Sequence, residues 1–105
     1  MTHINIKSQE EFIENIKEGL TFVMISKENC GYCEKGKPIF EKFSKKYEKR
    51  KFLIVKNEVI PDILEAFQVK MYPTFVAITN GKVDDVFFGD TREETIEEFI
   101  QKNYS

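Results

Sequence analysis

Long apolar runs are missing from this sequence. None of its 105 residues lies in a stretch approaching the length of a membrane span. The opening MTHINIKSQEEF has no apolar core of signal-peptide length. The cytoplasm is therefore the expected location, with no membrane as partner. Charge of one sign is missing too: 16 Lys and Arg stand against 18 Asp and Glu, a net charge of −2. That balance gives no electrostatic reason to expect nucleic acid as a partner. Histidine occurs once and cysteine twice. A structural zinc site takes about four such ligands, so His3 and two cysteines do not build one. No metal and no bound cofactor is expected. Repeats and low-complexity linkers are absent, while 41% hydrophobic and 32% charged residues are ordinary for a folded domain. One domain over residues 1–105, acting as a monomer, is the expectation.

What is present alternates between two periodicities. His3 to Ile6 reads as an edge strand. Ser8 and Glu11 form a capping box ahead of Phe12, Ile13 and Ile16 at helical spacing, and Gly19 stops that helix. LTFVMIS, Leu20 to Ser26, and FLIV, Phe52 to Val55, are near-continuous apolar runs that suit strands buried on both faces. Between them, Ile39, Phe40, Phe43 and Tyr47 recur as on a helix. Pro61 suits the first turn of a helix through Phe67. TFVAIT, Thr74 to Thr79, and KVDDVFF, Lys82 to Phe88, flank Asn80-Gly81, a strong hairpin signal. Thr91 and Glu94 read as a second capping box, opening a helix whose apolar face is Ile96, Phe99 and Ile100. The order β-α-β-α-β-α-β-β-α predicts an α/β fold with parallel strands from right-handed crossovers, an antiparallel hairpin, and helices on both faces of a mixed central sheet.

The two cysteines sit in NCGYCEKGKP, Asn29 to Pro38, just after the first buried strand and at the start of the next helix. As a structural staple the pair is poor. Reducing compartments disfavour it, and a loop closed by a three-residue step constrains the unfolded chain little. As a reactive pair it makes sense. A helix N-terminus offers unpaired N–H groups and the positive end of the dipole, and both stabilise a thiolate. Cys30 is expected exposed at the helix start, with Cys33 one turn in and partly covered. Such a pair supports thiol–disulfide exchange, with Cys30 attacking and Cys33 resolving the mixed disulfide.

Over nearly its whole length the sequence resembles the thioredoxin family. The resemblance rests on the βαβ opening, on CGYC, on Pro38 five residues after Cys33, on MYPTF ahead of the hairpin, and on Gly89 before the last helix. It implies the thioredoxin fold and a protein thiol–disulfide oxidoreductase whose catalytic residues are Cys30 and Cys33. It also implies a cis Tyr72–Pro73 bond beside the dithiol, leaving the main chain of Tyr72 free to pair with an extended substrate. Tyr72, Pro73, Gly31 and Tyr32 are the expected substrate-binding residues. Protein disulfides would be the substrates, and a thioredoxin reductase or glutathione the electron donor.

The departures from the family pattern are specific. Asn29 stands where the family has tryptophan, and Gly31-Tyr32 where it has Gly-Pro. Met24 stands at the position of the buried acid, and Ile54 aligns with the lysine that partners that acid. Gly-Tyr is similar to the dipeptide of disulfide isomerases, so isomerase is one alternative, and a thioredoxin-fold binding module with little turnover is another. Lys27 and Glu28 read as solvated loop charges. Glu34 disfavours a neighbouring thiolate, and the lysine-rich run Lys42 to Lys51 reads as the solvated side of a helix. Of Phe87 and Phe88, on opposite strand faces, one is expected in the core and one exposed.

Overall fold

In the computed structural model, which describes residues 3–104, apolar alternation along the strands decides which helix covers which face; residues 1, 2 and 105 of the expected domain lie outside the described residues. The elements are β1 (Ile4–Asn5), α1 (Gln9–Ile16), β2 (Leu20–Ser26), α2 (Gly31–Lys46), β3 (Lys51–Lys56), a 3-10 turn (Asn57–Val59), α3 (Pro61–Phe67), β4 (Thr74–Thr79), β5 (Lys82–Phe88) and α4 (Glu93–Asn103). They form the expected α/β fold. The sheet order is β1-β3-β2-β4-β5. β1, β3 and β2 run parallel, and β4 and β5 antiparallel to their neighbours.

Side chains alternate across the sheet. Phe22, Met24, Phe52, Ile54 and Phe75 point to one face, where Phe40 and Phe43 of α2 and Ile96, Phe99 and Ile100 of α4 bury them. Val23, Ile25, Leu53, Val55, Val76 and Ile78 point to the other, beneath Phe12 of α1 and Ile60 at the start of α3. β2 thus has a strand on either side and helices above and below, which is why LTFVMIS carries no polar alternation. Phe87 joins the first cluster, stacked between Phe75 and Phe99, while Phe88 is exposed.

The two capping boxes fare differently. Ser8 Oγ accepts the Glu11 N–H at 3.1 Å, and the Glu11 carboxylate reaches back to the N–H of Lys7, one residue beyond the expected partner. Thr91, however, caps nothing. α4 begins at Glu93 with Arg92 as its N-cap, and no side chain caps that residue's turn. Asp90 displaces the expected box. Its carboxylate accepts the Arg92 N–H at 2.9 Å and grips the Arg92 guanidinium at 2.7 Å. A charge-assisted pair this close wins over a neutral threonine hydroxyl.

The hydrogen bonds from the Arg92 guanidinium and N–H hold the Asp90 carboxyl down at about 2. A depressed folded-state value stabilises the fold above the unfolded value of about 4, and the contribution is lost as pH falls through about 2. Asp90→Asn should therefore melt earlier than wild type near neutral pH, with the gap closing on acidification toward pH 2. Thermal melts across that range check it; a gap independent of pH contradicts the pairing.

α2 and α4 are laced together on the solvent side. Lys42 pairs with Glu93 at 2.9 Å, and Lys46 with Glu97. The Tyr47 hydroxyl donates to the same Glu97 at 2.6 Å. The Lys46 and Tyr47 hydrogen bonds pull the Glu97 carboxyl below the ordinary range. The lysine-rich end of α2 is in part this seam.

Candidate active site

β2 ends at Ser26, and three residues, Lys27 to Asn29, carry the chain from the carboxyl end of the sheet to Cys30, the N-cap of α2. The turn is made possible by Asn29, whose φ of 54° lies in the left-handed region. Asparagine tolerates that region better than a bulky side chain does. Cys30 itself is extended (φ −120°, ψ 106°), and its sulfur accepts the Cys33 N–H at 3.2 Å. The sulfur occupies the place of a capping oxygen, facing the free amides of the first turn.

Cys30 and Cys33 are joined as a disulfide, with Cα atoms 5.2 Å apart. Cys33 is buried, at 6% exposure, and belongs to the core cluster under α2; Cys30 is half-buried and packs against that cluster. Both sulfurs lie one step deeper than expected, but the gradient runs the expected way. Gly31 and Tyr32 between them are open to solvent, with Tyr32 65% exposed and Lys35 Nζ 5.6 Å from its ring centre. Glu34 is likewise exposed in the first turn.

Met24 and Ile54 are register partners on adjacent strands, Met24 fully buried and Ile54 at 5% exposure. The site beneath the dithiol is thus a thioether and an alkyl chain. Met24 lies under α2 where the helix passes at Gly36: a methyl group there would sit 3.5 Å from Met24 Cε. Lys27 and Glu28 lie out in the loop. Glu28 pairs with Lys56 at 2.6 Å, and Lys27 Nζ stands 5.3 Å from the Tyr72 ring centre. Neither is buried behind the cysteines.

Tyr72, in the segment entering β4, packs against the same core cluster as Cys30. The Tyr72–Pro73 peptide bond is cis, Pro73 is buried, and Tyr72 bridges both core clusters while its hydroxyl accepts from Asn57 Nδ2 at 3.4 Å. Met71, 47% exposed, and Phe88, 42% exposed, add apolar surface in this region. Gly89 follows with φ of 89°, and a methyl group there would come within 3.3 Å of Met71 Cε.

A cavity of about 590 Å³ opens against the dithiol, at the carboxyl ends of the three parallel strands, where Asn5, Ser26 and Lys56 lie. Lys7 and Lys37 also line it. Sequence reasoning missed Lys7, Lys37 and Lys56 because, of the lysines, it weighed only Lys27 and the dense run from Lys42 to Lys51. The ends of the parallel strands were the available signal for Lys7 and Lys56, while Lys37, within α2, had none.

Among the described residues, no helix is long and apolar enough to cross a membrane. The family model described as Thioredoxin matches residues 3–102. Thioredoxin 1 of Plasmodium falciparum is 30% identical over 98 residues, covering 92% of this chain and 93% of that protein. A solved structure of Plasmodium falciparum thioredoxin superposes with a TM-score of 0.88 at 29% identity, covering 96% of this chain and 98% of that one. A peptide-N(4)-(N-acetyl-beta-glucosaminyl)asparagine amidase of Caenorhabditis elegans is 36% identical over 76 residues, 72% of this chain, but this similarity spans only 12% of that much longer protein.

Proposed function

We propose, given that the chain belongs to the thioredoxin family and is a protein thiol–disulfide oxidoreductase, that it reduces protein disulfides by dithiol exchange through Cys30 and Cys33. One observation carries this reading: the Cys30 sulfur caps α2, accepting the Cys33 N–H, while Cys33 is buried one turn below it. In the reduced protein the same amide and the helix dipole stabilise the Cys30 thiolate. The thiolate attacks a substrate sulfur, the S–S bond breaks, and the departing sulfur leaves as a thiol once protonated. Cys33 then loses its proton and attacks the Cys30 sulfur, releasing the second substrate thiol and closing the Cys30–Cys33 disulfide. Two electrons pass from the dithiol to the substrate.

The substrate chain would lie extended beside Pro73 and pair with the main chain of Tyr72. Gly31 brings no side chain into its path, and Tyr32 offers an exposed ring for contact. A thioredoxin reductase or glutathione would return the electrons. We place this work in the cytoplasm, in a single domain acting as a monomer.

Insulin reduction with dithiothreitol as donor tests the reading. The protein should accelerate precipitation of the insulin B chain well beyond dithiothreitol alone. No acceleration would leave a thioredoxin-fold binding module in place of a reductant.

A further inference from the structure

We infer that the cavity beside the dithiol is a docking site for low-molecular-weight disulfides that carry carboxylates, so that the Cys30–Cys33 couple exchanges with small anionic disulfides as well as with protein chains. The inference rests on the reading of the dithiol given above and adds to it a second class of substrate and a place to bind it.

The size of the cavity is the first argument. At about 590 Å³ it falls within the 300–1,000 Å³ or so of ordinary small-molecule sites. A protein segment would instead run along the open Tyr72–Pro73 edge. Position is the second. The cavity sits at the carboxyl ends of β1, β2 and β3, the end of an α/β sheet at which ligands bind. Both cysteines form part of its wall, so a sulfur held inside faces the couple.

Charge is the third argument, and it decides the class. Lys7, Lys27, Lys37 and Lys56 line the cavity against Glu28 and Glu34, a local excess of positive charge in a chain whose net charge is −2. Lys56 is held by Glu28 and Lys27 stands over Tyr72. The Glu11 carboxylate is taken by the main-chain N–H of Lys7, and the Nζ atoms of Lys7 and Lys37 have no carboxylate within ion-pair distance among the described residues. Their ammonium groups are the ones available to a ligand. Apolar groups from Met24, Ile54 and Val59 lie in the same wall, giving low polarizable surface for the methylene and sulfur portion of such a ligand.

The chemistry balances without a further reactant. The Cys30 thiolate attacks one sulfur of the small disulfide, and one small thiol leaves. Cys33 then attacks the Cys30 sulfur and the second small thiol leaves. The two cysteine protons end on the two released thiols, the small disulfide gains two electrons, and the dithiol is oxidised. Run backward, two small anionic thiols reduce the couple.

Three small disulfides of different charge separate docking from general reactivity: oxidised glutathione (anionic), hydroxyethyl disulfide (neutral) and cystamine (cationic). The fully reduced protein is mixed with each, quenched with acid, and the remaining thiols are counted by alkylation and mass. Wild type should react faster with oxidised glutathione than with the neutral disulfide. In Lys7→Gln/Lys37→Gln the ratio of oxidised glutathione to cystamine rates should fall by about threefold or more, since each removed charge favoured one probe and opposed the other. Any change in thiolate reactivity itself cancels in that ratio. A smaller fall, or a wild type that does not prefer oxidised glutathione over the neutral disulfide, overturns the assignment. Insulin reduction by wild type reports on the dithiol reading separately. If it persists while the charge ratio does not move, only the cavity assignment falls.

Discussion

Cys33→Ser should stop turnover and trap substrate. The variant keeps the Cys30 sulfur at the N-cap of α2, facing the amides that stabilise its thiolate. It loses the only thiol placed to resolve a mixed disulfide. Stable adducts should accumulate through Cys30, visible as non-reducing gel species or as mass increments. Cys30→Ser should accumulate none, because Cys33 is buried at 6% exposure and lies within the core cluster. In the reduced wild type, Cys30 should alkylate first. Equal trapping by the two variants, or faster alkylation of Cys33, would reverse the assignment of attacking and resolving thiols.

The second large effect concerns Met24. In the structure Met24 is fully buried, paired in register with Ile54 on one side and Phe75 on the other. Met24 and Ile54 place no buried carboxylate beneath the dithiol, so none there opposes its ionisation or takes the Cys33 proton. The first consequence favours the Cys30 thiolate, and Tyr32 adds to it by supplying a backbone N–H at the helix start that a proline would lack. Both stabilise the reduced form, so the couple should lie above the usual thioredoxin value, between roughly −270 and −200 mV. The second consequence slows resolution near neutral pH, with water or a surface group as the acceptor.

Met24→Asp should lower the potential, by on the order of 30 mV or a tenfold change in the equilibrium constant. The new carboxyl has only apolar neighbours along the strand, so burial raises its pKa. The shift should therefore grow as pH rises through that value. Stability should drop by about 3 kcal/mol. Met24→Leu, of similar volume and no charge, should leave the potential where it is. Equilibration against a glutathione buffer reads the potentials of wild type and both variants, and denaturant unfolding reads the stability. A wild-type potential at or below roughly −270 mV would refute the account without any variant.

Much of this was legible in the sequence because the strongest signals are local. Apolar runs placed β2 and β3, Asn80-Gly81 placed the hairpin, and Pro61 placed the start of α3. The dithiol was legible because the spacing of Cys30 and Cys33 matters only against the helix that follows. What escaped notice depends on neighbours or on backbone geometry. Thr91 and Glu94 satisfy the capping pattern, but Asp90 and Arg92 pair more strongly and move the helix start. The role of Asn29 lies in its φ, which no spacing reports. Lys7, Lys37 and Lys56 belong to three separate segments, and only the folded sheet brings them to one cavity.

The two outer strands of the sheet bear on how the protein behaves when crowded. β1 is two residues long. On the opposite side, β5 breaks step with β4: Ala77 faces Asp85 and Ile78 faces Val83, so Asp84 is an extra residue in the strand. Asp84 is drawn back to the Thr79 hydroxyl, and Asp85 stands beside it. A neighbouring chain approaching that margin meets a bulged strand bearing Asp84 and the Lys102-paired Asp85 instead of a straight row of open amides. On the other margin it finds a strand too short to extend. Sheet-to-sheet accretion, the usual hazard of a molecule built around five strands, is opposed at both margins by strand geometry, a short strand on one side and a bulge on the other, rather than by a covering element.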